Sequence, residues 1–307
     1  MLPPQDGSGE IGAHGPARGY DRRSFLARVG LLGAVVGAGS LLPRSAFAQG
    51  DPLDDLVSRL NPVLRELGRD TWNGLSSFVV PGPDAYSSAQ GTPREEPGGM
   101  EAKLPDFLIA ALDDFVPFPQ EIARPIASAV ATGLSDSGVE LPLGLGELLP
   151  GEVARLDEAL KKLVATDATI PLSVSVAMLL NLLATQVNPA SAQGPFLSPF
   201  ARLSFEDKAK AFELLERTDS DLVGLLDSNF PEPVKGSVSG LMKFVGGALL
   251  EFSAFGGYSE FAVFDADSKT LTETPVGWTL SGFSPPEGQN GYADFIGYYQ
   301  GRQEVTG

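Results

Sequence analysis

The sequence predicts a mostly α-helical protein, a single helical domain followed by an irregular C-terminal segment that carries one small β-hairpin. Three observations predict it. Apolar residues recur at helical spacing in successive stretches, each bounded by proline, glycine or a capping residue. One stretch, 170–187, runs for eighteen residues without a charge. Strand-like patterning is confined to a short region around residue 265. With apolar residues at 43% of the 307-residue chain, the composition supports a packed core and excludes disorder throughout.

The elements follow in order. Asp51-Pro52 reads as an N-cap with proline at the first helical position. Leu53, Leu56, Val57, Leu60, Leu64 and Leu67 then mark a helix that Asn61-Pro62 is expected to kink or divide. Thr71–Val80 is a further apolar stretch ending at Pro81-Gly82-Pro83, and residues 82–102 read as a long loop of the functional or mobile kind. Leu104, Phe107, Leu108, Ala111, Leu112 and Phe115 mark a second helix that stops at Pro117 and Pro119, and Glu121–Leu134 a third. Glu140–Pro150 is a loop, and its Gly144-Leu145-Gly146 lacks the preceding strand and third glycine of a dinucleotide site. Glu152–Val164 is amphipathic, with Val153, Leu156, Leu160, Leu163 and Val164 on one face.

Ile170–Val187 is apolar on all sides, which means a buried central helix or a membrane span. Ser173, Ser175, Asn181, Thr185 and Gln186 favour the central helix. Ser204 with Asp207 resembles a capping box opening a helix through Leu215, and 220–227 adds a short helical turn. A last long helix runs from Glu232 to Phe255 with the stripe Val234, Val238, Leu241, Val245, Leu249 and Phe252. Its Gly236, Gly240, Gly246 and Gly247 are expected where another helix comes close. Phe261–Asp265 and Leu271–Trp278 are expected to pair as a hairpin, and 277–301 to be irregular. There are no internal repeats.

The first 48 residues read as an address. Arg22-Arg23-Ser24-Phe25-Leu26 precedes an uncharged, glycine-diluted stretch, Val29–Leu42, and then Ser45-Ala46-Phe47-Ala48. Arg22 and Arg23 with Phe25 and Leu26 resemble the twin-arginine (Tat) motif, and Ala46 and Ala48 give an Ala-x-Ala cleavage site. Fourteen residues span only about 21 Å as a helix, short of a bilayer's roughly 30 Å hydrocarbon core, so no permanent membrane anchor is expected. The expected division is a removed signal at 1–48, a helical domain at 49–260, and a hairpin with an aromatic, glycine-rich tail at 261–307. Tat translocase is then a transient partner, and the destination lies outside the cytoplasm.

The formal charge is −17, from 39 acidic and 22 basic side chains, and loss of residues 1–48 takes it to −19. Such a chain is a poor partner for nucleic acid. It has no cysteine, and its one histidine, His14, lies inside the signal. The processed chain therefore lacks the groups for Ser-His-Asp or Cys-His catalysis, and for thiolate or imidazole metal sites. The acidic pairs Asp54-Asp55, Glu95-Glu96 and Asp113-Asp114 are adjacent residues that diverge on a helix, poor geometry for a catalytic dyad. Asp265-Ala266-Asp267-Ser268-Lys269 begins like a calcium loop, but lysine at the fifth position and no glycine at the sixth make turn chemistry the better reading. The aromatics Trp278, Tyr298 and Tyr299 with Arg302 are the types enriched at interface hot spots, and stand as the candidate partner surface, with packing on the chain's own core as the alternative.

Together, the signal Arg22-Arg23-Ser24-Phe25-Leu26, the helical content and Leu203-Ser204-Phe205-Glu206-Asp207-Lys208 resemble the Tat-exported small subunits of flavin-dependent glucose–methanol–choline dehydrogenases, the gluconate 2-dehydrogenase subunit 3 family. Gly277-Trp278 and Gly297-Tyr298-Tyr299 are similar to segments of exported actinobacterial proteins of this kind. The resemblance implies an accessory subunit with no cofactor of its own. It would stabilise an FAD-bearing dehydrogenase subunit and lend it an export signal. Two rivals remain: a stand-alone exported helical protein that holds an apolar small molecule, and a hydrolase built on two carboxylates in one cleft.

Overall fold

A computed structural model describes residues 53–116, 155, 158–159, 170–216 and 238–283. The expected helices over 121–134 and 220–227, the loop over 140–150 and the tail beyond 283 lie outside these residues. Among the described residues the fold is mostly α, with one two-stranded antiparallel sheet of two residues a side.

Helix α1 spans Leu53–Val79 as one rod that continues through Pro62. The expected division does not occur. Pro62 is exposed, while Leu56, Leu60, Val63, Leu64, Leu67, Trp72 and Leu75 are buried. A missing backbone bond on the solvent side is offset by this continuous packing. Pro81 then disfavours helical backbone at Val80 and ends the rod.

Residues 82–102 are not a free loop. They contain a short helix α2, Ala85–Gln90, whose N-cap Asp84 accepts from the Tyr86 and Ser87 N–H groups. It ends at Gly91 with φ of 93°, a left-handed cap that glycine reaches without strain. Helix α3, Leu104–Ala110, passes directly into a π-helical turn, Ala111–Phe115. The wider turn advances the register, so Phe115 leaves the apolar stripe to which regular spacing assigned it and stands 77% exposed. The same turn brings Asp113 to the start of helix α4, Leu172–Val187. There its carboxylate accepts from the Ser173 N–H and hydroxyl, both at 2.8 Å.

Helix α4 is the buried centre that its composition predicts. Every residue from Leu172 to Thr185 is buried. It packs against α1 and against α5, Phe205–Glu216. Ser204 caps α5 by accepting from the Asp207 N–H, as half of the expected capping box. The Asp207 carboxylate turns instead to Asn188 and Lys210. A 3₁₀ turn, Pro189–Ala192, and a loop connect α4 to α5. Ahead of α4 in the chain, Ala159 is the amphipathic segment's one fully buried described residue and joins the shared core, while its neighbour Glu158 is exposed. No helix of the described residues is long and apolar enough to cross a membrane.

Helix α6, Val238–Tyr258, lies across α5, α3 and α1. Its buried described residues are Met242, Gly246, Leu249, Ser253, Gly256 and Gly257; of the expected stripe, Leu249 is buried and Val245 packs half-buried against the core. Phe252, assigned to the core by its spacing, is 36% exposed. Of the glycines expected at helix contacts, Gly246 lies 3.6 Å below Leu215 when given a Cβ, but Gly240 and Gly247 face open space. Gly256 carries the tighter approach, to Phe107 and Leu104. Strands β1, Phe264–Asp265, and β2, Thr270–Leu271, pair with Phe264 opposite Leu271. The hairpin is shorter than expected, because Pro275 at the N-cap and Gly282 at the C-cap enclose a helix, α7, Val276–Ser281.

Candidate functional site

Two features stand out, one polar and buried, the other apolar and open. The polar one begins with Asn181 in the middle of α4. A lone amide there would be costly unless all its bonds were made. Its Nδ2 donates to the Thr71 hydroxyl at 2.8 Å and to the Ala177 carbonyl at 2.9 Å. Its Oδ1 accepts from the Ser198 hydroxyl at 2.7 Å and the Phe200 N–H at 3.1 Å. Asp70 extends the network, accepting from the Ser198 N–H at 2.7 Å and the Tyr86 hydroxyl at 2.5 Å. Burial and then the bond to Asp70 push the Tyr86 phenol up to about 12.

Lys208 continues it. The side chain is fully buried, and Nζ donates to the Gly74 carbonyl at 3.1 Å and to Gln90 Oε1 at 2.7 Å, with the Phe200 ring centroid 5.7 Å away. Burial lowers its pKa to about 7, against the opposing fields of Asp84 and Asp70. Burial also raises Asp84, but bonds from Ser87, Ser77 and Tyr86 outweigh that and leave its carboxyl below the ordinary value. A neutral amine near pH 7 has the chemistry of a nucleophile. Complete enclosure keeps this one from any substrate, so it acts as a clasp between α5, α1 and the last residue of α2. At Gly74 the chains come so close that a Cβ would lie 2.7 Å from the Ala201 backbone.

The open feature is a groove of about 520 Å³ along α6. The wall opposite is α3, the π turn and the first turns of α4, contributing Phe107, Phe115, Leu112 and Val176. Helix α6 contributes Phe244, Val245, Phe252 and Phe255. All of the side chains that line it are hydrocarbon. Phe244 is 70% and Phe255 66% exposed, beside Phe115. Burying one such ring is worth about 1.5–3 kcal/mol, which this chain forgoes several times on one face.

The candidate residues of the sequence do not converge here. Trp278 sits on α7, half-buried, with its ring edge-on to Phe283 at 5.1 Å, and does not line the groove. Tyr298, Tyr299 and Arg302 lie outside the described residues, as do Arg22, Arg23, Phe25, Leu26, Ala46 and Ala48. The pair Asp113 and Asp114 diverges as its adjacency requires, the first bound to Ser173 and the second exposed. Asp265 makes turn chemistry, accepting from the Asp267 and Ser268 N–H groups, with Lys269 at φ of 55°. No group of three acidic or imidazole ligands that would hold a metal ion occurs among the described residues.

Sequence reasoning missed the groove, although its signal was present. Phe244, Phe252 and Phe255 recur at i, i+8 and i+11, one face of a helix. Lys208 was missed as well, since Lys210 stands two residues away on the same acidic helix and nothing local distinguishes the two. No family model, no curated protein and no solved structure matches this chain.

Proposed function

We propose that the chain is an exported binding subunit without catalytic machinery of its own, which docks on a flavin-dependent oxidoreductase, stabilises it and accompanies it through the Tat translocase. The observation that carries this reading is the groove, a contiguous apolar surface with three phenylalanines more than half exposed. Patches of that kind on a folded protein mark interaction sites. Export in a folded state supplies a reason for a signal on a chain with no nucleotide loop, and FAD then belongs to the partner. Expression beside a flavoprotein of the same host tests it. Retention of flavin absorbance on the tagged chain, and loss of export of both when Arg22 and Arg23 become lysines, is the expected result.

The second reading is a stand-alone exported protein that holds an apolar small molecule. The concavity of the groove favours it, since about 520 Å³ falls within the roughly 300–1,000 Å³ of small-molecule sites. Solvent extraction of the purified protein followed by mass spectrometry separates the two. A stoichiometric apolar compound on a colourless monomer selects the second.

A further inference from the structure

A second concavity, of about 450 Å³, opens on the other side of α3, between α1 and the start of α4. Arg65, Gly68, Arg69 and Trp72 form its α1 wall at i, i+3, i+4 and i+7, a single stripe of the helix. Ile109 and Asp113 close the second side, and Pro171, Ser173 and Val174 the third. Gly68 leaves the middle of the stripe without a side chain where α1 lies against Val174 and Ala177 of α4.

Three independent observations define what the cleft accepts. Trp72 is fully buried, and its indole Nε1 has no hydrogen-bond partner. Ser76 Oγ and Ser191 Oγ share that condition among the described residues, but only Trp72 lines this cleft. An indole N–H is a donor only, and a buried one ordinarily finds an acceptor. Arg65 is exposed and makes no ion pair among the described residues, while Arg69 spends one nitrogen on Asp106 and keeps the rest of its fork. Asp113 offers little competition, because both its oxygens already accept from Ser173. Of the remaining lining, Ile109, Pro171, Val174 and the indole ring are apolar, and Glu66 is acidic.

We propose that this cleft is a binding site for a small monocarboxylic acid with an apolar body. The carboxylate meets the Arg65 and Arg69 guanidinium groups, whose planar donors match its two oxygens. The enclosed Trp72 ring floors the cleft beneath the ligand's apolar body. Glu66, also at the cleft, repels a second negative charge and so selects against dicarboxylates. The site is separate from the apolar groove, and its existence does not depend on the reading given to that groove.

Trp72 and Trp278 are the two tryptophans of the chain, so the full chain carrying Trp278→Phe reports on the cleft by fluorescence alone. Hexanoate, hexanol and adipate are the probes. The expected result is a saturable change with hexanoate, and binding of hexanol and adipate weaker by about tenfold or more. In the same background Arg65→Gln weakens hexanoate by about tenfold while leaving the circular dichroism spectrum and melting temperature unchanged, because Arg65 is a surface residue. No saturable change with hexanoate up to about 50 mM, hexanol binding as tightly as hexanoate, or an indifferent Arg65→Gln each overturns the proposal.

Discussion

Lys208 donates to Gln90 at 2.7 Å across 118 residues of sequence, and both side chains are buried. Gln90 passes the connection on, donating to the Ser77 carbonyl and the Thr92 hydroxyl, both at 2.7 Å. Three stretches of chain remote in sequence are thereby fixed at one point. A charge so enclosed is costly, and the lowered pKa of about 7 expresses that cost.

The unfolded lysine titrates near 10.4 and the folded one near 7, so between those values the unfolded chain holds a proton that the native chain lacks. Stability therefore rises with pH across this window, by up to about 1.4 kcal/mol per pH unit, and the cost is fully present below it. Lys208→Met removes the titrating group. Urea midpoints at about pH 7 and about pH 9 should differ less in the variant than in the parent chain. Equal slopes in both would contradict the assignment.

Asn181→Leu is expected to cost roughly 3–5 kcal/mol, because it leaves the Ser198 hydroxyl, the Phe200 N–H and the Thr71 hydroxyl short of partners in the core. Adding Thr71→Val should cost less than it does alone, since the two share one network. Chemical denaturation of the four proteins measures the coupling.

Glycines of equal intrinsic cost divide by what surrounds them. Gly74→Ala sets a Cβ 2.7 Å from Ala201 Cα and should destabilise by about 1–3 kcal/mol. Gly240→Ala and Gly247→Ala meet nothing within 4 Å on a helix, and each should stabilise by about 0.5–1 kcal/mol. Thermal midpoints should move in opposite directions.

Phe244→Ser should leave stability within about 0.5 kcal/mol, since the ring is 70% exposed. If the melting temperature falls by several degrees, the ring is a core residue and the groove is no working surface.

The helices themselves were legible because apolar spacing is a local property. Leu56 to Leu75 and Leu172 to Leu183 announce buried rods without reference to the rest of the chain. Pro62 misled, because proline acts locally whereas the packing on either side of it decides whether a helix continues. Helices α2 and α7 are too short for periodicity to reveal. Their caps were in the sequence, but Asp84 with Gly91 read as loop chemistry, and Pro275 fell within the expected strand Leu271–Trp278. The network at Asn181 was half legible. The polar residues of α4 argued against a membrane span, yet nothing local to them points to Ser198, Thr71 or Asp70. The π turn was invisible, and with it the exposure of Phe115 and the meeting of Asp113 with Ser173.

Under the proposed function, the groove along α6 is where a flavoprotein docks. The most direct measurement is co-purification from the native host on the tagged full chain, with flavin absorbance and subunit stoichiometry compared between the parent and a Phe244→Glu, Phe255→Glu double variant. The account predicts a flavin-bearing partner held by the parent and absent from the variant, with both chains folded. A colourless monomer from the parent, or a flavoprotein held equally by the variant, would contradict it.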